Sequence, residues 1–295
     1  MGFSRRDFVK AGAALALAPS LAAAQDKKRS WNLRYAPRLD FLAPKPFAER
    51  LDFFASYGFT ATEYNGLTNH KPEEVEALKK KLDEVKIEMG IFVVNLGLNK
   101  PWMTDPALRP EFLQALDKAV QVHKIVGNRW CTVISGAALK NVPFEEQHKN
   151  VVDCFKAAAE KLEGGNLTLV LEPLNVLVDH PGYFVVTSKH ANDIMKAVGS
   201  KHVKILFDIY HQQISEGNVI RNIQSYWDEI GYFQVGDNPG RKEPGTGEVN
   251  WKNVFKAIHA KGFKGILGME HGLSKGRDEA AVAACFEAYR EADSW

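Results

Sequence analysis

From residue 32 onward, short apolar runs alternate with longer stretches in which apolar residues return every three or four positions. Residues 32–36 read as a first strand, and residues 44–57 as a helix with Phe47, Leu51 and Phe54 on one stripe. Residues 59–64 and 87–95 give strands two and three, with a charged helix over 72–85 between them and a long helix over 106–126 after them. Strand four (130–134) is followed by a helix over 144–163 that the Gly164-Gly165 pair stops. Strands five to eight end at Glu172, Asp208, Gln234 and Glu270, with helices expected over 188–198, 219–229, 251–261 and 278–292. Eight strand and helix pairs, with no Gly/Ser-rich or Pro-rich linker between them, predict one α/β domain over residues 25–295, a (β/α)8 TIM barrel. An open doubly wound sheet is the alternative, but its Gly-rich nucleotide turn is missing: Pro37-Arg38-Leu39-Asp40 follows the first strand.

In the last four strands each apolar run finishes on a carboxylate or an amide. A buried charge without a partner is costly, so these groups need one. Three carboxylates and one amide, all oxygen donors, suit a hard divalent cation. Parallel strands of a barrel deliver their C-terminal ends to one mouth, where barrel enzymes hold their chemistry. A lone strand-terminal Glu is ordinarily a capping or salt-bridge residue; four polar residues at successive strand ends reverse that expectation.

The first two dozen residues change the picture of where the chain works. Ser4-Arg5-Arg6-Asp7-Phe8 is a twin-arginine export pattern, followed by a mildly apolar run, Pro19 and the small residues Ala22-Ala23-Ala24. The expectation is a signal peptide over residues 1–24 and a periplasmic or otherwise exported domain. No apolar run is long enough to predict a membrane span. The formal net charge is +2, and the leader carries Arg5, Arg6 and Lys10 against Asp7, so the remainder is formally neutral. Neutrality offers no electrostatic footprint for nucleic acid. Cys131, Cys154 and Cys285 are odd in number and set in apolar surroundings, which predicts buried thiols.

Leu171-Glu172-Pro173-Leu174-Asn175, Asp179-His180-Pro181-Gly182-Tyr183, Phe207-Asp208-Ile209-Tyr210-His211, Gln234-Val235-Gly236-Asp237-Asn238-Pro239-Gly240-Arg241 and Gly247-Glu248-Val249-Asn250 resemble the hydroxypyruvate isomerase group of the xylose isomerase-like TIM barrels. Ketose 3-epimerases and inosose-processing enzymes are its relatives. The resemblance is dense between residues 169 and 272 and architectural before that. It implies that Glu172, Asp208, Gln234 and Glu270 hold one divalent ion, Mn²⁺ or Mg²⁺ before Zn²⁺ or Co²⁺, with Gln234 at a position that is often His in the epimerases. It further implies that Glu172 and Glu270 are the acid/base pair, that His211 hydrogen-bonds a substrate oxygen, and that Arg241 holds a distal oxygen or carboxylate. The expected substrate is a small keto-sugar or hydroxy-keto acid. Such chemistry has a physical reason for these groups: an enediolate formed next to a carbonyl needs fixed positive charge beside its oxygen.

Other residues enter as weaker candidates for substrate binding. His180 either points into the pocket or belongs to a turn. Glu63 ends strand two and Trp102 follows strand three; each is read as a substrate contact beside a structural role. His271 alternates to the far side of Glu270, and Lys242 and Glu243 read as a solvated loop. A dehydratase or keto-sugar lyase would begin from the same enediolate. A three-zinc DNA-repair endonuclease of the same superfamily would need extra His ligands where Asn95, Ile134 and Gln234 stand. A sugar-binding protein gives no reason for two Glu residues beside a metal. The partner expected is a small molecule, with a homo-oligomer left open.

Overall fold

A computed structural model describes residues 30–97 and 100–295. The export pattern and its cleavage site lie outside the described residues. Eight parallel strands appear in chain order: β1 (Tyr35–Ala36), β2 (Ala61–Thr62), β3 (Glu88–Met89), β4 (Trp130–Val133), β5 (Thr168–Leu171), β6 (Val203–Asp208), β7 (Ile230–Gln234) and β8 (Leu267–Gly268). The helices are α1 (Phe47–Ser56), α2 (Pro72–Val85), α3 (Arg109–Val126), α4 (Phe144–Leu162), α5 (Ser188–Val198), α6 (Ile209–Ser215), α7 (Val219–Ser225), α8 (Trp251–Ala260) and α9 (Glu279–Ala292).

Strands β1, β8, β7, β6, β5 and β4 run side by side in that order, and β2 pairs with β3. Two short parallel bridges, Arg38 to Glu63 and Val93 to Thr132, join these groups into a ring. Backbone bonds at the joins, Leu39 N to Glu63 O at 2.9 Å and Thr132 N to Phe92 O at 2.9 Å, leave no open sheet edge there. The expected barrel is therefore closed.

Alternation along each strand separates two cores. Ala36, Ala61, Ile91, Trp130, Val170, Leu206, Tyr232 and Ile266 form one buried cluster inside the barrel. Leu169, Leu171, Ile205, Phe207, Phe233 and Leu267 belong to the larger core between sheet and helices. Stepping two residues from Val170, Leu206 and Tyr232 reaches Glu172, Asp208 and Gln234, which accordingly share the barrel's interior face. Helix α2 shows how the outer layer is made: Pro72 opens it, Lys71 N donates to Glu74 Oε2 at 3.0 Å, and Val75, Leu78 and Leu82 form its buried stripe.

One helix was not expected from the sequence. Asp208 accepts the N–H of Tyr210 at 2.9 Å and so caps α6, which starts at once after β6 and carries His211 in its first turn. The expected helix over 219–229 is split into α7 and a 3-10 turn at Trp227–Glu229. All three cysteines are buried free thiols.

Gly268 lies beside the Glu63 carboxyl, where a Cβ would sit 1.8 Å from Oε2. Gly268→Ala is expected to lose about 1–3 kcal/mol by overpacking. Denaturant unfolding checks this, and an unchanged midpoint would contradict the packing described.

Candidate active site

Glu172 follows β5 and continues its ladder through Glu172 N to Val133 O at 3.0 Å. Asp208 and Gln234 are register partners at the ends of β6 and β7. Glu270 lies just past β8, its Oε1 accepting from Asn65 Nδ2 at 2.7 Å. The structure brings together the four strand-end residues expected from the sequence.

Arg241 enters this group from the loop after β7. Its Nη2 lies 2.9 Å from Asp208 Oδ2 and 2.8 Å from Glu270 Oε2, and its guanidinium covers the Tyr210 ring at 4.8 Å. The loop is folded around Asp237, whose carboxylate accepts the N–H groups of Gly245, Gly247 and Val249 at 2.9, 2.9 and 3.2 Å. Arg241 itself takes a left-handed backbone conformation, φ 48°. Glu243, expected in solvent, is instead buried: Ser274 donates to it through both its backbone N–H and its hydroxyl, tying the loops after β7 and β8 together.

His211 meets both carboxylates at longer range, with Nε2 3.6 Å from Glu172 Oε1 and 3.6 Å from Asp208 Oδ2. Ligating atoms of Glu172, Asp208 and His211 all lie within 4.8 Å of one another. Glu172, Asp208 and His211 thus form one donor set, and Gln234 and Glu270 at the ends of the next two strands offer further oxygens beside it. His180 is half-buried, its ring 5.3 Å from that of His211. Glu63 is fully buried behind the site, where Tyr232 donates to it at 3.3 Å and Gln234 hydrogen-bonds it. That position backs Gln234 rather than walling a pocket. Trp102 packs in the core with Nε1 donated to Gly97 O at 2.9 Å, and His271 bonds the Tyr289 hydroxyl at 2.9 Å.

Electrostatics set these groups apart. Burial, then the charges of Glu270 and Asp208, push Glu172 well above the usual carboxylate range. Burial also raises Asp208, against the pull of Arg241. His211 is pushed down to about 3 by burial and then by Arg241, so its imidazole is neutral. Burial would lower Arg241, but Glu270, Asp208 and Glu172 more than offset it and raise it.

The donors fit a divalent cation. Glu172 and Asp208 stand within ligating distance of one another, and Arg241 supplies positive charge to Asp208 and Glu270. Gln234 Oε1 is buried with no hydrogen-bond partner among the described residues, as a ligand oxygen would be. A cavity of about 220 Å³ opens beside Glu270, lined by Arg38, Asp40, Phe41, Arg241 and Arg277 among others. Larger cavities of about 500 and 450 Å³ lie near Trp31 and near Trp227, away from the converging carboxylates. Chemistry rather than size locates the site.

Residues 51–290 match the xylose isomerase-like TIM barrel family. The chain belongs to that family. The hydroxypyruvate isomerase of Escherichia coli (strain K12) is 29% identical over 247 residues, covering 81% of this chain and 93% of the relative. The 2-oxo-tetronate isomerase of Cupriavidus necator is 26% identical over 246 residues, covering 81% and 92%. Among solved structures, one described as an AP endonuclease, family 2, from Brucella melitensis superposes with a TM-score of 0.73 at 25% identity, over 86% of this chain and 98% of that one.

Asn65, Asn175, Tyr210 and Asp237 had no role assigned from sequence. Asn65 had one available signal, a place two residues past Glu63 on the same face.

Because Glu172 and Asp208 are raised, the folded chain holds protons that the unfolded chain has released. The stability this contributes is full at low pH and lost as pH rises through the raised values. Without metal, Glu172→Gln should therefore be more stable than the parent at pH 8, by roughly 2–4 °C for ~1 kcal/mol in a chain of this size, and the gain should shrink as the pH is lowered toward the ordinary carboxylate range. Thermal melts check this; a parent as stable as the variant at pH 8 would contradict it. Mn²⁺ should raise the parent's midpoint more at pH 8 than at pH 5, since binding releases protons.

Proposed function

We propose that this chain is a divalent-metal-dependent isomerase that moves a proton through an enediolate on a small hydroxy-keto acid or keto-sugar. The single observation that carries the reading is the convergence of Glu172, Asp208, Gln234 and Glu270 at successive strand ends with Arg241 among them. Those four residues would hold the ion, whose chemistry is that of a Lewis acid for developing charge on the substrate's oxygens.

The chain's own groups do the rest. One of Glu172 and Glu270 takes the proton from the carbon next to the carbonyl. The electron pair of that C–H bond becomes the enediolate double bond, and the carbonyl oxygen takes the charge. Return of the proton to the former carbonyl carbon, with the hydroxyl proton passing to the former carbonyl oxygen, gives isomerisation, and return to the same carbon from the other face gives epimerisation. Arg241 and His211 would hydrogen-bond substrate oxygens.

The wall of the cavity favours an acid. Arg38 is held by Asp40 at 3.0 and 2.9 Å and Arg241 by Asp208 and Glu270, while Arg277 has no ion pair among the described residues. An arginine left unpaired at the rim suits a carboxylate. The names of the relatives, hydroxypyruvate isomerase and 2-oxo-tetronate isomerase, support the same class.

The endonuclease reading, raised again by the Brucella melitensis structure, finds less support. Ile134 is buried beside Leu174 and Tyr183, and Asn95 donates to Asn69 at 2.7 Å, so neither strand end offers a ligand. The group Glu172, Asp208 and His211 has no second cluster of three such ligands beside it among the described residues. The twin-arginine pattern Ser4-Arg5-Arg6-Asp7-Phe8 supports export, so the proposed reaction takes place outside the cytoplasm.

The Mn²⁺-loaded protein should exchange α-carbon hydrogen for deuterium in D₂O on hydroxy-keto acids, read by NMR. Glu172→Gln and Glu270→Gln should each slow exchange by about 10²–10⁴-fold. Normal rates in both variants would remove the acid/base pair, and no exchange across a panel of keto acids and ketoses would sink the reading.

A further inference from the structure

Asn175 is buried in the loop that leaves β5, three residues past Glu172. Its Oδ1 accepts the backbone N–H groups of Val178 and Asp179, each at 3.1 Å. Those two donors decide which way round the amide lies, because the opposite orientation would set NH₂ against N–H. Nδ2 therefore faces outward with its two hydrogens. One goes to Asp179 Oδ2 at 2.7 Å, and the other to His211 Nδ1 at 2.7 Å. The backbone N–H of Asn175 points at the same ring nitrogen, at 3.4 Å.

Donors on both approaches make Nδ1 of His211 an acceptor. A neutral imidazole with a bare Nδ1 carries its hydrogen on Nε2. Nε2 is the atom aimed between Glu172 and Asp208, and it has no hydrogen-bond partner among the described residues.

We infer that Asn175 is a positioning residue: it locks His211 as an Nε2–H donor, which takes His211 out of the metal's ligand set and turns it toward an oxygen of the substrate. The consequence reaches the choice of metal. A lone pair at Nε2 would make Glu172, Asp208 and His211 an imidazole-containing site of the kind zinc favours. A hydrogen at Nε2 faces any cation with positive charge, so an ion there must be completed by the oxygens of Gln234 and Glu270. The lock is itself braced: Asp179 also takes a hydrogen bond from the Tyr210 hydroxyl, and the Tyr210 ring lies under Arg241. The loop after β5, helix α6 and the loop after β7 are thereby joined through one chain of contacts.

The inference uses the isomerase reading only for its kinetic consequence; the tautomer is measured on the resting protein. In ¹⁵N-histidine-labelled parent, with His211 assigned by comparison with His211→Gln, Nδ1 should be pyridine-like and Nε2 pyrrole-like. The paired exchange Asn175→Asp with Asp179→Asn keeps an oxygen for the Val178 and Asp179 N–H groups and the bond between the two side chains, but presents an acceptor to Nδ1. It should invert the tautomer, raise zinc affinity relative to manganese, and lower kcat by about 10²-fold, the loss on removing one preorganised donor, with KM changed much less. A protonated Nδ1 in the parent would overturn the inference, and so would a folded exchange variant that kept both tautomer and kcat. An inverted tautomer in a protein whose parent exchanges no substrate would uphold the inference and defeat the isomerase reading.

Discussion

Three carboxylates and a neutral imidazole cannot share a dry space at the top of a barrel unless something positive stands among them, and that constraint organises the upper half of this molecule. Arg241 supplies the charge, reaching Asp208 and Glu270 together from a loop that Asp237 folds. Glu172 has no such partner and is driven up by burial and by its neighbours' charge. A cation bound by the same oxygens would relieve all three at once. The instability stored in the resting arrangement and the affinity for an ion are two views of one electrostatic fact.

The layering of the barrel explains why those groups meet. Val170, Leu206 and Tyr232 fill the interior. Two residues on, in the same orientation, come Glu172, Asp208 and Gln234. Apolar filling below and polar ends above are the period-two alternation of strands, continued past the point where side chains need to be apolar. Gly268 interrupts the sequence of interior side chains and leaves room for Glu63, which stands behind Gln234.

This layering is why so much could be read from the sequence. Leu169-Val170-Leu171-Glu172 announces both a buried strand and its polar end, and the spacing of four such ends gives the barrel and the core of the site together. Helices α2 and α5 fall where their apolar stripes and caps place them. What escaped the sequence depends on partners far away in the chain. Asp208 looked like the end of a strand and is also the cap of a helix; Glu243 looked solvated and is buried against Ser274. Glu63 and Trp102 had plausible chemistry, yet only the packed barrel shows one behind Gln234 and the other in the core. The orientation of the Asn175 amide is set by two backbone donors that no composition or periodicity reveals.

The proposed site holds one divalent ion on the four strand ends and not on the histidine beside them. Calorimetric titration of metal-free protein with Mn²⁺ addresses it directly, with Gln234→Ala and His211→Gln measured alongside the parent. The expected result is one ion per chain in the parent, about 10–100-fold weaker binding for Gln234→Ala as a lost ligand, taking ~1.4 kcal/mol as tenfold, and near-parental affinity for His211→Gln. Loss of binding in His211→Gln with none in Gln234→Ala, or three zinc ions per chain in the parent, would contradict it.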